Sequence, residues 1–209
     1  MEPIIIINYG MGNVGSIANM LKKIGKNSVI SSDYNIIKNA KKLILPGVGA
    51  FDNAIKNIHN LGLFDLLNEK VLVEKVPILG ICLGIQLFTK RSDEGTLNGF
   101  GWIDAETISF EKNLDKSKYK IPHMGWNTIN IKKNISLIEG LNNQDTRFYF
   151  VHSYFVSCAS NQDILTTTNY GIEFASSVQR DNIFGVQFHP EKSHKFGMQL
   201  LKNFVNWEC

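Results

Sequence analysis

Cysteine is scarce in this chain, with 3 among 209 residues, at positions 82, 158 and 209, and no C-x-x-C pair. So small and scattered a set argues against a disulfide framework and a structural zinc site, and points to a reducing compartment. Charge of one sign is scarce too: the net charge is only +3, and the lysines are spread along the chain, so no basic block is present to attract nucleic acid. Long apolar runs are also missing. The most apolar stretch, residues 71–88, is broken by Glu74, Lys75 and Pro77. The opening Met-Glu-Pro-Ile has neither the basic region nor the cleavage site of a secretory signal. The expectation is a soluble cytoplasmic protein with no membrane and no nucleic-acid partner. The 44% apolar and 20% charged residues that are present fit one globular domain spanning residues 1–209. Folding at this length buries roughly 70% of the unfolded surface without a disulfide or metal staple.

Ile4 to Ile7 is an unbroken β-branched run, as a strand buried on both faces reads, and Val14 to Ile24 follows with helical spacing. Ser28 to Ser32 and Lys42 to Leu45 predict two more strands. Pro46-Gly47-Val48-Gly49 then breaks the chain before a helical stretch from Ala50 to about His59. Val76 to Ile81 predicts a strand running straight into a short helix after Cys82. This alternation implies an α/β fold with a parallel sheet covered by helices on both faces. Beyond about residue 100 the pattern changes to strands separated by turns, over 101–110, 128–131, 148–157, 173–179 and 183–188, for which antiparallel pairing is expected. Arg180-Asp181-Asn182 reads as a hairpin turn. Residues 111–120 read as a charged surface loop, and a closing helix from about Lys195 carries Phe196, Leu200 and Phe204 on one face.

Gly10-Met11-Gly12-Asn13-Val14-Gly15 matches the dinucleotide fingerprint G-x-G-x-x-G, with Asp33 near the end of the second strand. The same glycines also serve a sharp strand-to-helix turn at a crowded sheet edge, and few residues are left for a separate substrate domain. A more specific chemistry lies in Gly80-Ile81-Cys82-Leu83-Gly84, which has the form of a nucleophile elbow. There Cys82 projects its sulfur above the sheet, and the helix N-terminus beneath favours the thiolate. Its base is expected in Phe188-His189-Pro190-Glu191, where Pro190 restricts the backbone and Glu191 can fix the tautomer of His189. Backbone N–H groups of Val48 and Gly49, with that of Leu83, are the candidate oxyanion donors. His59, His123, His152 and His194 lack a neighbouring carboxylate of this kind, and Cys158 and Cys209 lack any activating context. His189, Glu191 and His194 suggest the H-x-E of zinc deaminases, but the P-C-x-x-C that must follow is absent, so neither metal nor cofactor is expected.

Gly80 to Gln86 together with Phe188 to Glu191 resembles the class I, triad-type glutamine amidotransferases, and the resemblance covers essentially the whole chain. It implies an open, mostly parallel central sheet flanked by helices, with antiparallel strands in the C-terminal half. Three further segments, Asn8 to Asn13, Pro46 to Phe51 and Pro122 to Asn127, are similar to the glutaminase subunits of imidazole glycerol phosphate synthases. By this resemblance Cys82 attacks the side-chain amide of glutamine, His189 shuttles the proton, and Glu191 orients His189. Gly49, Gln86 and Glu94 hold glutamine, with backbone contacts from Ser153 and Tyr154. The ammonia passes to a separate (β/α)8-barrel synthase subunit, for which this chain has no room, and Met124, Trp126, Asn127, Tyr149 and Lys192 match positions facing that partner. One departure is Asn8, where the family usually has Asp before Tyr-Gly. Gly101 to Glu106 is similar to a branch that feeds ammonia to enzymes modifying amino sugars. The histidine pathway is the first expectation and the amino-sugar pathway the alternative. A dinucleotide-binding module and a cysteine peptidase are remote ones.

Overall fold

Four consecutive isoleucines form β1 (Ile4–Ile7), and their alternation supplies both faces of the sheet: Ile5 and Ile7 enter one apolar cluster, Ile4 and Ile6 the other. The computed structural model describes residues 2–207, so Cys209 lies outside the described residues. The chain continues through α1 (Val14–Lys23), β2 (Ser28–Ser31), α2 (Tyr34–Lys38), β3 (Leu43–Gly47), α3 (Phe51–Asn60) and α4 (Leu63–Asn68). It then passes a π turn into β4 (Ile78–Cys82) and α5 (Leu83–Leu87). The second half contributes β5 (Ala105–Ser109), β6 (His123–Thr128), β7 (Asn130–Ile131), β8 (Arg147–His152), β9 (Tyr154–Cys158), β10 (Ile164–Tyr170), β11 (Ile172–Arg180), β12 (Ile183–Val186) and α6 (His194–Asn206).

The sheet runs β2-β1-β3-β4-β12-β11-β10-β7, with β9 pairing to β11 and β5. Its first five strands are parallel, and α1 and α6 cover one face while α2, α3 and α4 cover the other. From β11 onward the pairing is antiparallel, as the second half of the sequence predicts. The exception is β12, which lies antiparallel to β11 but parallel to β4.

Four boundaries differ from the sequence expectation, one being the strand expected over 101–110, which begins only at Ala105. The stretch 148–157 is two strands, because Ser153 breaks it and β8 leaves the main sheet to pair with β6 in a separate ribbon while β9 pairs with β5. The strand expected over 128–131 starts at His123 and is interrupted before Asn130, and β12 stops at Val186. Helices α2 and α4 and strand β10 add to the elements that the sequence pattern predicts. The first is a short helix capped by Asp33, whose carboxylate accepts the Ile36 N–H at 2.9 Å. Gly12 sits at φ +105°, where a Cβ would stand 3.1 Å from Pro46, so the first glycine motif packs the β1–α1 turn against the end of β3.

Candidate active site

Strand β4 ends at Cys82 between β3 and β12. Cys82 has φ 55° and ψ −106°, a conformation L-residues rarely adopt, and α5 begins at the next residue. Close packing explains its glycine neighbours. A Cβ on Gly84 would lie 1.9 Å from the Leu45 carbonyl oxygen, and one on Gly80 would meet the Phe88 ring at 2.6 Å. Helix α5 has only 5 residues, so no long helix dipole stands beneath Cys82.

Because β12 lies beside β4, the bend after Val186 carries Gln187 and His189 to the sulfur. Gln187 Nε2 donates to Cys82 Sγ at 3.8 Å. Pro190 opens a single 3-10 turn (Pro190–Lys192) that folds Glu191 back, so its Oε1 lies 2.8 Å from His189 Nδ1, with both side chains 1% exposed. Ser193 fixes this turn: its hydroxyl donates to the His189 carbonyl at 2.6 Å and accepts the Tyr149 N–H at 3.0 Å. Burial opposes charge on His189, but Cys82 and Glu191 outweigh it and raise the imidazole pKa well above its ordinary value. His189 Nε2 is buried and has no hydrogen-bond partner within the chain.

A cleft of about 310 Å³ opens over the thiol, and its walls gather Val48, Gly49 and Leu83 on one side with Ser153 and Tyr154 on the other. Gln86 and Glu94 also line it. Gly49 has φ +109° beside the exposed Val48. Glu94 is half-buried, and its Oε2 accepts the Phe51 N–H at the start of α3 at 3.0 Å. Burial raises the Glu94 carboxyl pKa, that N–H opposes the rise, and Asp52 adds to it. Gln86 is buried, its Nε2 donating to the Tyr154 carbonyl at 3.2 Å and to Gln187 Oε1 at 3.1 Å.

The β6–β8 ribbon carries most of the positions expected to face a partner. Met124 (61% exposed) and Trp126 (45%) point outward, with Trp126 edge-on to Tyr149 and stacked on His194, and Lys192 lies over the Tyr149 ring at 5.6 Å. Asn127 is not with them, since strand alternation turns it inward, where its amide donates to His123 Nε2 (3.2 Å) and to the Asn169 carbonyl (3.0 Å). Asn8 is exposed and accepts the Gly10 N–H at 3.3 Å. Trp102 is a core residue donating to Asn68 Oδ1 at 2.7 Å. Burial pushes the Cys158 thiol up to about 12. Gln187 and the buried pair His123 and His152 were missed by sequence reasoning, and only their strand pairing brings them to the site. Among the described residues, no cluster of three His, Cys, Asp or Glu could hold a metal, and no helix is long and apolar enough to cross a membrane.

A parallel sheet whose central strand turns sharply through a cysteine into a helix, beside a histidine–carboxylate pair, sets the class. The chain belongs to the class-I glutamine amidotransferase family, whose model matches residues 5–207. It is 55% identical over 202 residues to "Imidazole glycerol phosphate synthase subunit HisH 2" of Methanococcus maripaludis, covering 97% of this chain and 98% of that protein. It is 49% identical to the subunit of the same description from Pseudomonas aeruginosa, again covering 97% and 98%. A solved structure described as a glutamine amidotransferase aligns with a TM-score of 0.75 at 16% identity, over 98% of this chain and 97% of that one, a likeness of fold.

Proposed function

We propose that this chain hydrolyses glutamine and delivers the ammonia to a separate (β/α)8-barrel cyclase subunit that makes imidazole glycerol phosphate, in the cytoplasm. The observation that carries the reading is the buried His189–Glu191 pair, held beside a cysteine on a strained turn in the cleft. His189 takes the Cys82 proton, the sulfur attacks the glutamine δ-carbonyl carbon, and the protonated imidazole gives its proton to the leaving ammonia. His189 then takes a proton from water, hydroxide attacks the glutamyl thioester, and glutamate leaves as the thiol is restored. Leu83 N–H and the Val48–Gly49 peptide stabilise the oxyanion. Glu94 accepts the substrate's α-ammonium group, which relieves the cost of its burial, while Gly49, Gln86, Ser153 and Tyr154 hold the rest of glutamine. Met124, Trp126, Tyr149 and Lys192 form the surface offered to the cyclase, with Asn127 supporting it from the inner side.

The test is glutamate release by the purified chain with its cyclase. Cys82→Ala abolishes it while added ammonium salt sustains the cyclase, and His189→Ala lowers turnover by at least ~10²–10⁴-fold. Undiminished glutamate release in either variant overturns the assignment. The alternative acceptor is an amino-sugar-modifying synthase, supported by the likeness of Gly101 to Glu106 to that branch, and Asn8 in place of the family's usual Asp loosens the match to the cyclase. Stimulation by such a synthase and not by the cyclase would decide for it.

A further inference from the structure

The inner face of the β6–β8 ribbon carries a chain of hydrogen bonds that the proposed chemistry does not use. His152 Nδ1 lies 2.7 Å from the Tyr154 carbonyl oxygen. A carbonyl only accepts, so Nδ1 carries the hydrogen. Burial, then the neighbouring His123 and His189, keep this ring neutral, which leaves Nε2 bare as an acceptor. The atom facing it at 2.9 Å is His123 Nδ1, which is therefore a donor. His123, also neutral through burial, then presents a bare Nε2, and Asn127 Nδ2 donates to it at 3.2 Å. The other Asn127 amide hydrogen goes to the Asn169 carbonyl at 3.0 Å, and its Oδ1 accepts the Thr128 N–H at 2.9 Å. One protonation pattern satisfies every group. The His123 ring is stacked on Tyr170 (centroids 4.1 Å apart) and Phe150 (4.8 Å), so it cannot turn without repacking.

The chain ends in the cleft. Tyr154's carbonyl also accepts from Gln86, Gln86 donates to Gln187, and Gln187 donates to the Cys82 sulfur. We propose that His123 and His152 are positioning residues for glutamine, a strut of fixed tautomers that sets the Ser153–Tyr154 wall against β6, whose outer face carries Met124 and Trp126. Two apolar rings would fill this space without the desolvation penalty of two buried imidazoles, and what the imidazoles add is direction. The inference rests on the glutaminase reading. It adds that a partner displacing β6 moves the substrate wall with it.

The experiment is steady-state glutaminase kinetics of the full chain with its partner synthase, together with glutamine affinity by calorimetry in a Cys82→Ser background. His152→Phe keeps an aromatic ring and removes the donor to Tyr154. It is expected to raise KM and Kd about tenfold with kcat within threefold, since the Tyr154 carbonyl loses the closer of its two donors and keeps only Gln86. His152→Asn, whose amide nitrogen replaces Nδ1 but which offers His123 no acceptor at the Nε2 place, recovers only part of this loss. His123→Phe, which takes away the donor to His152, raises KM as well and His123→Asn, which returns that donor, recovers most of the loss, whereas His152→Gln, lacking a donor at Nδ1, recovers nothing. Should a phenylalanine variant fail to fold, these amide variants decide. An unchanged KM in folded His152→Phe or His152→Gln, or equal loss in His152→Asn, overturns the strut. Wild-type protein that releases no glutamate overturns the glutaminase reading instead.

Discussion

The two thiols in the described chain have different neighbours, Cys82 lying in the cleft with His189 and Gln187 and Cys158 at the end of β9. Burial pushes Cys158 up to about 12, with Asp163 adding to the effect, so almost none of it is thiolate near neutral pH. A glutamine-mimicking electrophile at pH 7 is expected to alkylate Cys82 and spare Cys158, which peptide mass spectrometry reads directly. Loss of activity with label on Cys158 contradicts the assignment. His123 and His152 also make stability depend on pH. Their pKa values fall to about 4 and about 3, so the folded chain refuses protons that the unfolded chain accepts below about 6.5. Stability is therefore lost as pH drops from about 6.5 towards 4, by up to about 1.4 kcal/mol per pH unit for each histidine. His189 has the opposite sign: its pKa is raised, so its contribution is complete below about 6.5 and disappears as pH rises through the folded value. Urea unfolding at pH 5 and 7 checks this, and His152→Asn should flatten the acid limb. Cys82, His189 and Glu191 were legible in the sequence because each stands in a short local pattern. The histidine pair was not, because its members are 29 positions apart and meet only through strand pairing.

Glycines of similar appearance in the sequence have different duties in the elements. Gly84 of α5 faces the Leu45 carbonyl so closely that a methyl group would stand 1.9 Å away, against backbone that cannot yield. Gly84→Ala is expected to lose at least about 1–3 kcal/mol and to displace the nucleophile turn, with glutaminase activity falling. Gly15, third in the other glycine motif, is exposed in α1, and a Cβ there would meet nothing within 4 Å. Gly15→Ala is expected to stabilise the chain by up to about 1 kcal/mol at unchanged activity. Thermal melts of the two variants separate these outcomes, and a damaging Gly15→Ala would restore interest in a phosphate-binding turn. Strands β1, β3 and β4 were readable because burial on both faces leaves a run of apolar residues. The break at Ser153 was not, since the reason for it is that β8 and β9 belong to different sheets.

At the scale of the molecule, two of the three proposed oxyanion donors lie on a turn whose Gly49 has φ +109° and whose Val48 is 43% exposed. A peptide bounded by glycine reorients at modest cost, and one misdirected donor costs roughly 2.7–4 kcal/mol, about 10²–10³ in rate. The isolated chain is therefore expected to be a poor glutaminase that its barrel partner with bound acceptor switches on. The partner must favour the productive turn by a comparable differential free energy, delivered through Trp126 and Lys192. Equal turnover for the chain, the complex and the complex with acceptor analogue rejects the switch.

The place of β12 in the sheet sets an order of events during synthesis. Cys82 and His189 are separated by 107 positions, yet β12 must insert between β4 and β11 before they meet. Contacts so distant in sequence form slowly, and until they form β4 is an open sheet edge with an unassisted thiol at its end. A growing chain thus carries its proposed nucleophile through the synthesis of the 107 positions from Cys82 to His189, about half of its 209 residues, without the means to use it. In refolding experiments, helical signal should return well before glutaminase activity, and simultaneous recovery would mean that β12 docks as early as the first five helices.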